Sequence, residues 1–198
     1  MKRIIICLIA IAFTHPMFSQ TLNAGYRGFG DLGYATYSEG GTLNGSAIEI
    51  TTTHGYQINP HLFVGAGIGF IFTGKCKYGD VSGHPYLRRD SKTDMPLFFN
   101  FNANILKKSL TPFFDVKVGA CVNDEFNTYA NLSVGCRYAI NDKTGVSLKI
   151  GISSRKLSSD ELNIISGTAA NNYKSTFVYR STEGNTVNGL YFGIGFDL

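Results

Sequence analysis

Leu190-Tyr191-Phe192-Gly193-Ile194-Gly195-Phe196-Asp197-Leu198 alternates strictly. Leu190, Phe192, Ile194, Phe196 and Leu198 fall on one side, and Tyr191, Gly193, Gly195 and Asp197 on the other. A β-strand has a period of two, so this stretch carries one continuously apolar face and one small or polar face. The same alternation recurs upstream and predicts eight strands, at 22–37, 44–56, 61–74, 94–105, 112–122, 127–140, 145–156 and 188–198. In the third, Leu62, Val64, Ala66, Ile68, Phe70 and Phe72 oppose Gly65, Gly67 and Gly69. In the fourth, Leu97, Phe99, Phe101 and Ala103 oppose Asn100, Asn102 and Asn104. In the sixth, Leu132, Val134 and Cys136 oppose Asn131, Ser133, Gly135 and Arg137. In the seventh, Val146, Leu148, Ile150 and Ile152 oppose Ser147, Lys149, Gly151 and Ser153.

The connections divide into two kinds. Gln57-Ile58-Asn59-Pro60, Leu106 to Thr111 and Asn141-Asp142-Lys143-Thr144 are tight and rich in turn formers. The remaining connections, 38–43, 75–93, 123–126 and 157–187, fall at the opposite end, and two of them are long. Tight periplasmic turns and longer outer loops are the arrangement of a barrel in an outer membrane. The expected fold class is therefore all-β, an eight-stranded antiparallel up-and-down transmembrane β-barrel.

Composition agrees. The 198 residues suffice for one domain, with 13% aromatics, no Trp, 23 Gly and only 16% charged residues. Residues 1–20 read as a cleaved signal peptide, with basic Lys2 and Arg3, an apolar run from Ile4 to Phe13, and small Ser19 near the cut. That apolar run is too short for a membrane-spanning helix, which needs roughly 20 residues. The barrel domain is then 21–198. Losing Lys2 and Arg3 lowers the formal charge from +4 to +2, a balance that points to no nucleic-acid partner. Of the four cysteines, Cys7 leaves with the signal, Cys76 lies in a loop, Cys121 near a strand end and Cys136 in a strand. No C-x-x-C spacing exists, so neither a metal site nor a cofactor is expected. A Cys76–Cys121 disulfide is open on compartment grounds, with unpaired thiols the simpler expectation.

With the Gly and polar face turned inward, Arg27, Lys117, Arg137 and Lys149 oppose Asp31, Glu49, Asp115 and Asp197 in the lumen. An eight-strand barrel is just wide enough for side chains to fill it, and unpaired buried charge is costly. The expected lumen is a neutral, salt-bridged plug, with a narrow polar path for ions or water as the alternative. Two aromatic belts are expected to flank the apolar band. Tyr26, Tyr56, Phe113, Phe114, Tyr138 and Phe196 form the one near the turns. Tyr34, Tyr37, Phe70, Phe72, Leu97, Phe98 and Tyr129 form the one near the loops.

On this strand pattern the chain resembles the small eight-stranded outer-membrane barrels, the OmpA/OmpX-type barrel domain, from Asn23 to Leu198. The resemblance implies residence in the outer membrane of a Gram-negative cell, outer-membrane lipid as solvent, and the barrel-insertion machinery as an assembly partner. That machinery reads a terminal aromatic, and this chain ends in Phe196-Asp197-Leu198. No peptidoglycan-binding domain follows, so anchoring through one is not expected.

No catalytic residue is predicted. His54 and His61 lie at the turn end, and His84 sits in a Ser82-Gly83-His84-Pro85-Tyr86 loop. No G-x-S-x-G or H-E-x-x-H motif occurs. Binding residues concentrate on loops, so Lys75, Lys77, Tyr78, Tyr86, Arg88, Arg89, Tyr173, Phe177 and Tyr179 are the candidates for contact with a surface protein or ligand. The β-like run Tyr173 to Arg180 predicts a hairpin that extends the last two strands beyond the membrane. The expected function is a non-enzymatic integral barrel with loops for adhesion, recognition or envelope integrity. Two alternatives are a barrel enzyme acting on lipid at the outer rim and a secreted soluble barrel with reversed faces that binds a small apolar ligand.

Overall fold

The computed structural model describes residues 24–39, 43–74, 76–78, 88–89, 91–122, 127–141, 144–165 and 176–197. The expected signal peptide lies outside them. The described elements are all strands: β1 (Gly25–Glu39), β2 (Leu43–Gln57), β3 (Leu62–Thr73), β4 (Cys76–Tyr78), β5 (Arg88–Arg89), β6 (Lys92–Asp94), β7 (Pro96–Asn104), β8 (Leu110–Cys121), β9 (Asn127–Ala139), β10 (Gly145–Ile165) and β11 (Thr176–Asp197). β6 and β7 flank Met95 and both pair with β3, so they act as one stave. Every neighbour is antiparallel, and β11 returns to pair with β1, closing an eight-stranded barrel.

The closure is staggered. From Arg27 the lateral partners run Gly55, Gly65, Asn100, Lys117, Asn131, Ser153 and Gly189, and the last returns to β1 at Tyr37. The circuit thus climbs from Arg27 to Tyr37 along β1, which tilts the strands roughly 40° from the barrel axis. That offset is an even number of residues, so inward positions meet inward positions all the way round. An odd offset would turn the core face of one strand outward at the seam.

The faces follow. Arg27, Asp31, Glu49, Asp115, Lys117, Arg137 and Asp197 are buried, whereas Leu32, Ile50, Phe99, Leu132, Ile150, Phe192 and Phe196 are exposed on the outside. At the loop end the outward positions turn polar, at Thr36, Ser46, Thr93, Thr128, Ser154 and Asn188. From Ser46 to Tyr56 along β2 the axial rise is about 25 Å at this tilt, the height of the apolar band of an outer-membrane barrel. The reversed-face soluble barrel is thereby overturned, because its Phe and Ile residues would have to line the interior.

Asparagine side chains close two of the three tight turns, and the Thr111 hydroxyl, bonded to Leu106 N and O, closes the third. Asn59 Oδ1 accepts from the amides of His61 (2.8 Å) and Leu62 (3.0 Å), and Asn141 Oδ1 accepts from Thr144 N (2.7 Å).

Several expectations need correction. Tyr37, Phe98, Phe113 and Tyr129 do not belong to the aromatic belts; they are buried inside the barrel. Parity explains this, since Phe98 alternates with outward Leu97 and Phe99, and Phe113 with outward Phe114. The expected hairpin does extend the last two strands beyond 145–156 and 188–198, with β10 and β11 paired from Lys156↔Thr186 to Ile165↔Thr176. The long 75–93 connection contains β4 and β5, which pair with each other, with β4 also on the edge of β2. Cys76 opens β4, and Cys121 is a buried free thiol, so the Cys76–Cys121 disulfide is not formed.

Small residues on the inner face make room for rings. The Tyr191 ring lies over Gly33 and Gly193, and the Phe98 ring over Gly67. A side chain at Gly33 would overlap that ring. Gly33→Val is expected to destabilise the barrel by about 1–3 kcal/mol, read as a lower urea midpoint for the vesicle-embedded protein. An unchanged midpoint would contradict the packing described.

Candidate functional site

All eight predicted lumen residues point inward, and the closed sheet gathers them into three tiers. Inward positions recur at every second residue of each strand, and closure of the sheet brings groups distant in sequence into contact.

The tier at the turn end centres on Asp197. Arg137 donates to Asp197 Oδ2 through Nε and Nη2, and Arg27 Nη1 lies 3.8 Å from the same oxygen. Phe29 and Phe63 meet edge to face beside it, with ring centroids 4.7 Å apart. Gln57 Nε2 donates to the carbonyls of Asn59 (2.6 Å) and Leu62 (3.1 Å), tying the plug to the first tight turn.

The middle tier is a chain of four charges. Lys117 Nζ is 2.7 Å from Asp31 Oδ2 and donates to Thr51 Oγ1 at 2.9 Å. Lys149 Nζ bridges Asp31 Oδ1 (2.8 Å) and Asp115 Oδ2 (3.1 Å). Asn100 and Asn102 donate to Asp115 Oδ1 at 2.7 and 3.3 Å. Aromatic faces complete the cradle, with Lys117 over Phe98 and Lys149 over Phe113. Each carboxylate is thus shared by several donors, which offsets the desolvation that an isolated pair would suffer.

The tier at the loop end is of a different kind. Glu49 is buried and receives three hydroxyls: Ser153 Oγ (2.9 Å) and Tyr37 OH (3.0 Å) on Oε1, and Tyr129 OH (3.2 Å) on Oε2. No cation bridges it among the described residues, so the expectation of a lumen held wholly by salt bridges is corrected here. Hydroxyl donors substitute for the missing cation because Tyr37 and Tyr129 reach inward.

Above Glu49 lies a pair that the sequence reading missed. Arg155 Nη1 is 3.5 Å from Asp94 Oδ2, and its guanidinium stacks on Tyr37 at 4.5 Å. Arg155 lies within the expected strand 145–156, two positions beyond inward Ser153, so parity alone already turns it inward. Asp94 opens the expected strand 94–105 and shares the inward parity of Phe98 and Asn100, with β3 pairing in one register on both sides of Met95. Lys92 Nζ lies 4.0 Å from Asp94 Oδ1, so Asp94 stands between two cations at the inner rim.

Little space remains. A turn-end cavity of about 20 Å³ open to water centres, lined in part by Arg27, Asp31, Asn102 and Asp197, holds about one water.

The loop candidates are less defined. Lys77 and Tyr78 lie in β4, Arg88 and Arg89 in β5, and Phe177 and Tyr179 in the hairpin part of β11 opposite Ile164 and Leu162. Lys75, Tyr86, His84 and Tyr173 lie outside the described residues.

No protein-family model and no curated protein sequence matches the chain. Among solved structures, the translocator domain of autotransporter NalP from Neisseria meningitidis aligns over 98% of this chain and 94% of its own, at 11% identity and a TM-score of 0.22. So slight a likeness carries no argument, and the fold rests on the strand pairing above.

The middle tier makes a sharp prediction. Asp31→Asn leaves Lys117 and Lys149 with a single carboxylate between them and is expected to cost about 3–5 kcal/mol. Lys117→Met is expected to cost less, because Asp31 keeps Lys149. The double variant should cost less than the sum of the two. Urea unfolding in vesicles measures all three, and additive costs would show that the two residues do not interact.

Proposed function

We propose that this chain is an integral outer-membrane barrel without enzymatic activity. Its filled lumen serves as a rigid core, and its outer hairpin and basic loop serve adhesion, recognition or envelope integrity. The observation that carries the reading is the inversion of faces. Charged side chains fill the interior, while rings of Leu, Ile, Val and Phe stand exposed around the outside. Water-soluble monomers rarely expose contiguous apolar patches beyond a few hundred Å². A bilayer removes that cost and requires a closed sheet with no free edge at membrane depth, the arrangement this chain adopts.

The surface role rests on two features at the loop end. β10 pairs with β9 only as far as Arg155, and β1 pairs with β11 only from Gly189 onward. From Lys156 to Ile165 the β10–β11 hairpin therefore stands clear of its flanking staves, reaching about 30 Å beyond them. Unpaired strand edges recruit extended segments of other proteins by adding a strand. The second feature is the β4–β5 pair, in which Lys77 and Arg88 occupy opposed register positions. Opposed like charges are unfavourable alone and favour an anionic counterpart, which outer-leaflet lipid supplies.

Cell fractionation followed by gel migration with and without boiling tests the location. Recovery in the outer membrane with heat-modifiable mobility is expected, and recovery as soluble protein would overturn the reading. Replacing 158–184 by an Asn-Gly turn should leave heat modifiability intact and abolish surface attachment, scored by binding of whole cells to host or neighbouring-cell surfaces. Loss of barrel assembly in that variant would mean that the hairpin is needed for folding.

A further inference from the structure

Between the polar loop rim and the turn-end aromatics, one basic side chain stands on the outward face of the described barrel. Tyr26 OH lies 2.7 Å from His54 Nδ1, and His54 Nε2 lies 3.1 Å from Thr52 Oγ1. The Tyr26 and His54 rings stack, with centroids 6.1 Å apart. No other Asp, Glu, Lys, Arg or His among the described residues points outward between the polar rim and the turn-end aromatics. His54 sits one outward position inside Tyr56, about 5 Å toward the band centre.

Proton counting gives the trio its chemistry. Two hydroxyls and a neutral imidazole carry three N–H or O–H protons, and two hydrogen bonds consume two of them. One hydroxyl proton is left to donate outward; an imidazolium would leave two. The trio therefore keeps a hydroxyl proton to donate, one outward position inside the Tyr56 phenol, and its complement is an oxygen acceptor.

Next to the trio, an open apolar groove runs toward the band centre. Gly30 and Thr52 face each other across the β1–β2 pair and form its low floor. Leu32, Ile50, Ile68, Phe70 and Phe196 form its walls, and it encloses about 460 Å³. Thr52 belongs to both trio and groove, so the polar and apolar parts are continuous.

We propose that this surface is a phospholipid site of the periplasmic leaflet. Tyr26, His54 and Thr52 donate to a phosphate or ester oxygen, and the groove over Gly30 takes an acyl chain. The proposal rests on the membrane reading above, with the tight turns facing the periplasm. Polarity order decides the occupant: an inner-leaflet phospholipid has its acceptors at the turn end and its chain directed to the centre, as the trio and groove are arranged. A second copy of this chain would not account for that order.

The test refolds the full chain into vesicles of phosphatidylethanolamine and phosphatidylglycerol, extracts it in mild detergent, and counts retained phospholipid by native mass spectrometry. Wild type is expected to keep one phospholipid after washing. His54→Leu with Thr52→Val is expected to lower the retained fraction about tenfold, the worth of one hydrogen bond, and Gly30→Leu is expected to lower it separately by filling the groove that takes the acyl chain. Gly30 has no left-handed φ, so leucine is accommodated there without backbone strain. Heat-modifiable mobility reports that each variant is folded. A folded, vesicle-embedded wild type that keeps no phospholipid, or equal retention in all three proteins, overturns the site and leaves the membrane reading standing. A dimer that Gly30→Leu disperses, in place of bound lipid, overturns it in favour of a second copy. Failure of wild type to enter vesicles at all overturns both readings.

Discussion

The contact on which everything else depends is the seam where β11 pairs with β1. Without it the sheet would have two long free edges and a polar backbone exposed wherever the outer apolar band meets lipid. With it, every stave has two neighbours, and the even stagger from Arg27 to Tyr37 keeps one face inward throughout. The small circumference then dictates the contents. An interior too narrow for bulk water cannot hydrate ions, so each inward charge needs a protein partner. Asp31 between two lysines and Asp197 between two arginines are what that requirement produces.

Packing inside the ring is solved by size as well as charge. Inward glycines occur where Tyr191, Phe98 and Phe113 lie flat, so ring and glycine fill one cross-section together. The Phe98 and Phe113 rings also meet Lys117 and Lys149, and the OH of Tyr37 reaches Glu49. Aromatic residues whose height along the barrel matches a membrane interface thus serve as the inner lining of the charge network.

Much of this was legible in the residues because a period of two is a strong constraint. Alternation in 61–74, 94–105 and 127–140 placed those strands and faces, and it sorted Arg27, Asp31, Lys117 and Asp197 inward. What escaped was set by neighbours rather than by pattern. Phe98 and Tyr37 were assigned to belts by their height along the barrel, although parity put them inside. Arg155 lies near the end of the expected strand 145–156, and the extent of the expected hairpin is set by the pairing of β10 with β11. Glu49 looked like half of a salt bridge because charge counting is blind to hydroxyls. The Tyr26–His54–Thr52 trio escaped too, since it depends on a β1–β2 register that no single strand reveals.

Each face contains one residue that breaks its rule, and the two exceptions resolve differently. Inside, Glu49 is a carboxylate without a countercharge; outside, His54 is a polar ring on an apolar wall. Both are held by hydroxyls from neighbouring strands. A carboxylate only accepts, so the protons of Tyr37, Tyr129 and Ser153 are all consumed on Glu49, and the inner cluster is complete in itself. Imidazole both donates and accepts, so the hydroxyls of Tyr26 and Thr52 cannot both spend their protons on His54. The surplus donor is the difference between a buried cluster that only holds the barrel together and a surface cluster that calls for an acceptor from outside the chain.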